Sequence, residues 1–193
     1  VQVSLTFKVI NKDPDAADLM AAFGDDWNQA AQDAHEMWVM RVLEYIVRFS
    51  RVDTGRSRAG WFNFMDLRGY NYRRSLPPTG TEEGTDEGRA LGDSISEPFI
   101  TTIINNVNYV EPMNRRYGLF GFKPIVRKDG KIGSAKVEKG IMLEDRVPLF
   151  EQYGADNWQK FIENAREAFE AGGGRKFKPG PIAPVTNEPP LTL

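Results

Sequence analysis

Residues 15–50 read DAADLMAAFGDDWNQAAQDAHEMWVMRVLEYIVRFS. Apolar side chains recur here at steps of three and four: Leu19, Met20, Phe23, Trp27, Ala30, Ala34, Trp38, Val42, Tyr45, Ile46 and Phe49. That period lines one face of a helix. Ala, Gln, Glu and Met, all favourable in helices, fill much of the remainder. Gly24-Asp25-Asp26 is a candidate break between a short helix and a longer one. Upstream, Asp13 can cap the start and Pro14 suits a first helical position.

Working outward, residues 1–10 alternate apolar and polar, with Val1, Val3, Leu5 and Phe7 on one side, which predicts a strand. After the helix, residues 50–56 read as a turn or a helix start. Residues 58–67 alternate loosely around Ala59, Trp61, Phe62 and Phe64, which predicts a second strand. Residues 77–92 are rich in Gly, Pro, Thr and Glu and almost free of apolar side chains, which predicts a long mobile loop. Residues 99–110 carry the β-branched run Thr101-Thr102-Ile103-Ile104 and read as a strand. Residues 112–122 look turn-rich. Asp129-Gly130 predicts a hairpin between 124–127 and 131–132. Residues 157–171 place Trp158, Phe161, Ile162, Ala165 and Phe169 on one face of a second helix, ended by Gly172-Gly173-Gly174. Five prolines between 179 and 190 bar residues 175–193 from helix and from sheet pairing, leaving an extended arm.

The order strand, long helix, several strands, helix, arm predicts an α+β fold. A long N-terminal helix and a C-terminal helix pack on a mostly antiparallel sheet. The expected organisation is one domain over residues 1–171 and a Gly/Pro-rich arm over 172–193. A chain of 193 residues, 40% hydrophobic and 27% charged, can bury a core without staples.

Composition also excludes chemistry. With no cysteine there is no disulfide, no thiolate nucleophile and no Cys-based zinc site. His35 is the sole histidine; it lies mid-helix with no partner constellation, so no catalytic site is expected. Asp25 with Asp26, or Asp13 with Asp15, lack the spacing of a calcium loop and are better explained as acids at a helix start. The glycine-rich stretches lack the spacing and the Lys of a phosphate cradle. No metal or cofactor is expected. No run of about 18 apolar residues predicts a membrane span.

Net charge is only −2, but it is distributed in blocks. Residues 13–36 hold seven acids and no Lys or Arg, residues 41–74 hold eight Arg and three acids, and residues 75–97 hold six acids and one Arg. Blocks of alternating sign suit packing against neighbours with complementary faces, and equally suit a solvated surface. In the Arg block, Tyr45, Phe49, Trp61, Phe62, Phe64, Tyr70 and Tyr72 are interleaved with no Lys. Arg with aromatics is the composition of a protein interface core. It is also that of a nucleic-acid-binding module, the alternative reading of residues 41–74.

Val52-Asp53-Thr54-Gly55-Arg56-Ser57-Arg58-Ala59-Gly60-Trp61, following an amphipathic helix, resembles a segment of the tail-completion (neck, minor tail or head–tail joining) proteins of siphophages and prophages. There a long helix runs into Val-Asp-Thr-Gly-Arg-Leu-Arg, then a small residue and an apolar or aromatic strand. A second block, Asn106-Val107-Asn108-Tyr109-Val110-Glu111, is similar to the family's strand end. Ser57 stands where the family has an apolar residue, and Pro112 follows Glu111 where it has Gly-Thr.

The resemblance, which spans roughly residues 31–171, implies a structural virion protein rather than an enzyme, made in the host cytoplasm and placed in the neck or tail. It implies a homo-oligomeric ring, a hexamer by the resemblance, between the head-completion or connector protein and the tail terminator or tail tube. DNA would pass through the lumen without specific binding. The residues it nominates for subunit or partner contacts are Asp53, Thr54, Gly55, Arg56, Arg58, Trp61, Asn106, Tyr109 and Glu111. From the residues alone, Asp53 or Thr54 can close an Asx- or ST-turn, and Gly55 permits the positive φ of a reversal. If a strand follows, Arg56 and Arg58 share its outer face, with Ala59 and Trp61 on the other.

Overall fold

The structure, a computed structural model, describes residues 2–9, 16–51, 55–70 and 84–171. Its organising element is the long helix. Residues Ala16–Phe23 form α1 and Asp25–Phe49 form α2, separated at Gly24, whose φ is 55°. The Gly24 N–H still donates to the Met20 carbonyl, so the chain leaves one helix and enters the next within a single residue. Asp25 and Asp26 occupy the first turn of α2 and Arg48 its last, the arrangement that complements the helix dipole.

Helix α7, Val147–Glu170, runs antiparallel along α2. Trp27 meets Phe161, the Ala34 carbonyl accepts from Asn157 Nδ2 at 2.6 Å, and Trp38 Nε1 donates to the Phe150 carbonyl at 2.8 Å. Pro148 sits in the first turn of α7, where its missing N–H costs nothing. The helix therefore starts ten residues before the expected position.

The other side of α2 is covered by a three-stranded antiparallel sheet in the order β1-β3-β2. Its strands are β1, Val3–Lys8, β2, Gly92–Glu97, and β3, Ile100–Asn105. On β3, Thr101, Ile103 and Asn105 turn inward and are fully buried, whereas the Thr102 hydroxyl meets that of Thr6 at 3.0 Å on the exposed side. That is the two-residue period of a half-buried strand. A second antiparallel pair, β4 (Phe120–Val126) and β5 (Ile132–Ile141), turns at Asp129-Gly130. An isolated bridge between Ser50 and Phe120 ties its root to the C-terminal end of α2.

Two apolar clusters result, and α2 contributes to both. One gathers Ala30, Ala31 and Ala34 with α1 and the C-terminal half of α7. The other gathers Val39 to Phe49 with the sheet, Trp61, Phe64 and Phe120. The α+β class and the antiparallel pairing are as expected. Among the described residues no helix is long and apolar enough to cross a membrane.

Three expectations are corrected. Residues 58–67 form no strand; they make two short helices, α3 (Arg56–Ala59) and α4 (Asn63–Leu67). Successive N–H groups bond back three or four residues, Ala59 to Gly55, Gly60 to Arg56 and Phe62 to Ala59. Ala59, Trp61, Phe62, Phe64 and Met65 are all at most 2% exposed. Residues 57–62 are buried without a break, and such a run carries no period that separates strand from helix.

Residues 112–122 are not a string of turns, because Val110–Tyr117 forms helix α6. The strand expected over 99–110 therefore ends at Asn105. In the expected loop over 77–92, Thr85–Ala90 forms helix α5 and Gly92 already opens β2. Residues 77–83 of that loop and the arm at 175–193 lie outside the described residues.

Candidate docking groove

The corner after α2 depends on Gly55, which has φ 80°, a left-handed conformation that a Cβ would strain. Its carbonyl then accepts the first bond of α3. Asp53 and Thr54, expected to close this turn, lie outside the described residues. Because α3 is a helix, Arg56 and Arg58 do not share an outer face. Arg56 is half-buried and pairs with Glu87 at 2.7 Å, and Arg58 is buried. The expected outward Arg pair is therefore absent. Trp61 is completely buried in the chain's own core.

Asn105, at the end of β3, fastens this corner to the second sequence block. Its Nδ2 donates to the Ser57 carbonyl at 2.9 Å and its Oδ1 accepts from the Val107 N–H at 3.1 Å. The chain then turns: the Asn106 N–H donates to the Leu91 carbonyl, and α6 begins one residue after Tyr109. Along α6, Val110 and Asn114 face inward. Asn114 Oδ1 accepts from both the Leu119 and Leu143 N–H groups, and its Nδ2 donates to Glu144. Asn106 is exposed, and Glu111 is engaged with Arg115 one turn on.

Between α3 and α6 lies a groove of about 530 Å³. Gly55, Ser57 and Arg58 form one wall; Tyr109, Met113 and Tyr117, spaced along one face of α6, form the other. Tyr109 is 36% and Tyr117 54% exposed, large apolar rings left open to solvent. Arg116 lies with its guanidinium 5.1 Å from the Tyr117 ring centre. Arg51 also lines the groove and is positioned by donation from its Nε to the Gly118 carbonyl at 3.2 Å. Among the described residues three arginines and two tyrosines line the groove, and no carboxylate does. Such a surface suits a segment carrying an apolar or aromatic side chain beside a carboxylate.

His35, the catalytic suspect by composition, is buried against β3 and does not line the groove. Its Nε2 lies 3.0 Å from the Thr101 hydroxyl. Burial holds its pKa below the ordinary 6.5 against the raising effect of Glu36. Glu36 itself is pushed up by burial, but hydrogen bonds from Arg68 and Gln32 outweigh this and leave it below its ordinary value. No group of three or more His, Asp or Glu that could hold a metal ion occurs among the described residues.

The Arg block looks different in three dimensions. Arg41 and Arg58 are buried, Arg56 pairs with Glu87, and Arg68 grips Glu36 through both Nε and Nη2. These cations are engaged within the chain rather than arrayed for phosphate. The groove-lining residues of α6 were not nominated from sequence except Tyr109. Their signal was there: Tyr109, Met113, Arg116 and Tyr117 fall at helical spacing.

No family model matches the chain, and no curated protein and no solved structure is significantly similar to it.

Proposed function

We propose that this chain is a structural component of a tailed-bacteriophage particle, a tail-completion or neck protein that assembles as a ring between head connector and tail. One observation supports this above the others. The two sequence blocks that carry the family resemblance lie about fifty residues apart, yet both contribute to one groove, Gly55, Ser57 and Arg58 from the first and Tyr109 from the second. The Asn105 amide links them. A turn serving only its own geometry would have no need of that meeting. An open, cationic and aromatic groove is what a docking site for another virion subunit requires.

In this reading the protein acts without catalysis. Its place is the virion, and its partners are other copies, the connector side and the tail side. Deletion of the gene from its phage tests it by electron microscopy of the lysate. The expected result is filled heads and finished tails that fail to join. Normally joined particles would overturn the proposal.

A further inference from the structure

Exposed charge is separated into two poles in the fold, a basic one on the β4–β5 hairpin, outside the charge blocks of the sequence, and an acidic one within the block at residues 13–36. The β4–β5 hairpin carries Lys123, Arg127, Lys128, Lys131, Lys136 and Lys139 against only Asp129 and Glu138. All six cations are on the sequence of a two-stranded ribbon that no third strand among the described residues covers, and none forms an ion pair with another described residue. Ile125 and Val126 lie among them, 36% and 54% exposed.

The other pole lies around α1 and the start of α2. Residues 16–40 contain no Lys or Arg, and Asp18, Asp25, Asp26 and Asp33 are all exposed. The end of α7 packs here through Phe169 against Phe23, adding Glu163, Glu167 and Glu170 beside Lys160 and Arg166. Met20 and Phe169 are 43% and 50% exposed. Each pole is thus an apolar centre with a charged surround, the anatomy of an interface, and the two surrounds have opposite sign. The hairpin is rooted at the C-terminal end of α2 and the acidic pole at its N-terminal end, with a 25-residue helix, about 37 Å long, between them.

We infer that copies of this chain join head to tail, the basic β4–β5 hairpin of one copy docking on the acidic α1–α2 pole of the next. The inference deepens the ring assembly proposed above and rests on it. Complementary patches at opposite ends of one rigid helix define a heterologous contact, which propagates until it closes into a ring or runs on as a filament. Ile125, on one face of the ribbon, packs against Met20 and Phe169 and supplies the apolar contact; the charges set which end meets which.

The test is the mass of the full chain in solution, by light scattering and sedimentation, between about 0.05 and 0.5 M salt, a range over which screening of exposed charges steepens. Assemblies larger than a dimer are expected at low salt and dissociation at high salt. Lys123→Glu with Lys128→Glu and Lys131→Glu, which reverses the sign of the hairpin, and separately Glu163→Lys with Glu167→Lys and Glu170→Lys, which reverses the sign of the acidic pole without touching the first turn of α2, should each give monomers with wild-type helical content by circular dichroism. Mixing the two variants should restore assembly, because each hairpin then meets a pole of opposite sign.

A chain free of cysteine allows a second measurement. Ile125→Cys with Met20→Cys should form disulfide-linked ladders on oxidation, and neither substitution alone should do so. A wild type that stays monomeric or stops at a dimer, variants that assemble like the wild type, or a mixture that stays monomeric would overturn the inference. So would a hairpin reversal that abolishes binding to duplex DNA and leaves the mass unchanged. Joined particles in the deletion lysate with head-to-tail assembly intact would instead overturn the neck assignment and leave this contact standing.

Discussion

Asn105 lies so close to Gly60 that a Cβ built on the glycine would sit 2.3 Å from the asparagine Oδ1. Both are buried, and the same amide holds the Ser57 carbonyl and the Val107 N–H. Gly60→Ala must therefore displace the amide that joins the two sequence blocks. We expect a loss of about 1–3 kcal/mol, the usual cost of forcing volume into a packed site. Chemical denaturation would measure it. Asn105→Ala, which removes the obstacle, should bring the double variant's loss below the sum of the two single losses. Strict additivity would show that the contact is not shared.

Asn114 fastens the end of α6 to the start of β4 and to residues 143–144, some thirty positions on. It is 3% exposed and serves the N–H groups of Leu119 and Leu143 and the carboxylate of Glu144. Asn114→Leu has similar bulk but strands two buried N–H donors. At about 1–3 kcal/mol for each unsatisfied group, the loss should reach roughly 2–6 kcal/mol. Hydrogen exchange would locate it: the amides of Leu119 and Leu143 should lose protection first.

The buried imidazole gives the stability a defined pH dependence. His35 has a folded pKa below its ordinary 6.5, so the unfolded chain takes up a proton more readily than the folded one. Stability is then complete above about pH 6.5 and declines below it, by at most about 1.4 kcal/mol per pH unit for this single group. Glu36, also lowered, adds a second decline as pH falls through its ordinary 4.5. His35→Gln can still bond the Thr101 hydroxyl but cannot titrate. Its thermal unfolding should lose the slope just below pH 6.5 and keep the lower one; an unchanged profile would assign the first slope elsewhere.

How far the sequence discloses this fold depends on what surrounds each segment. Helix α2 is amphipathic over most of its length, so period, propensity and the Gly24 break all point the same way. The β4–β5 turn carries Asp-Gly, and Gly130 takes the positive φ, 76°, that such turns need. The β2–β3 turn hides its nature: Glu97 and Ile100 pair across Pro98 and Phe99, and the left-handed residue is Phe99, at φ 61°, not a glycine. The Phe99 N–H is held by Gln32 Oε1 and its carbonyl accepts from Val9, contacts with distant elements that no local pattern records. Helices α3 and α4 are hidden for another reason: residues 57–62 are all buried and show no exposed stripe, and each helix is only four or five residues long, too short to display a period. The groove follows the same division. Its α3 wall was legible as a motif, but the outward direction assigned to Arg56 and Arg58 assumed a strand. Its α6 wall was obscured by Pro112 and Gly118, which read as turn residues although one stands in the first turn of a helix and the other just after its end.

The groove itself yields the sharpest separation of stability from function. Tyr117 leaves about half and Tyr109 about a third of its surface in solvent, and neither belongs to the buried core, so truncating them leaves the core intact. Tyr109→Ala with Tyr117→Ala should cost about 1–2 kcal/mol through lost partial burial and keep a cooperative unfolding transition. If the groove receives a neighbouring virion subunit, the same variant should fail to restore joined particles when supplied to the deletion phage. Tyr109→Phe with Tyr117→Phe keeps the ring area and should restore most of them, whereas Arg116→Glu, on the same wall, should fail through repulsion of a carboxylate-bearing partner. A folded double-alanine variant that restores full joining would place the docking site outside this groove, and the meeting of the two motif blocks would then be a matter of folding alone.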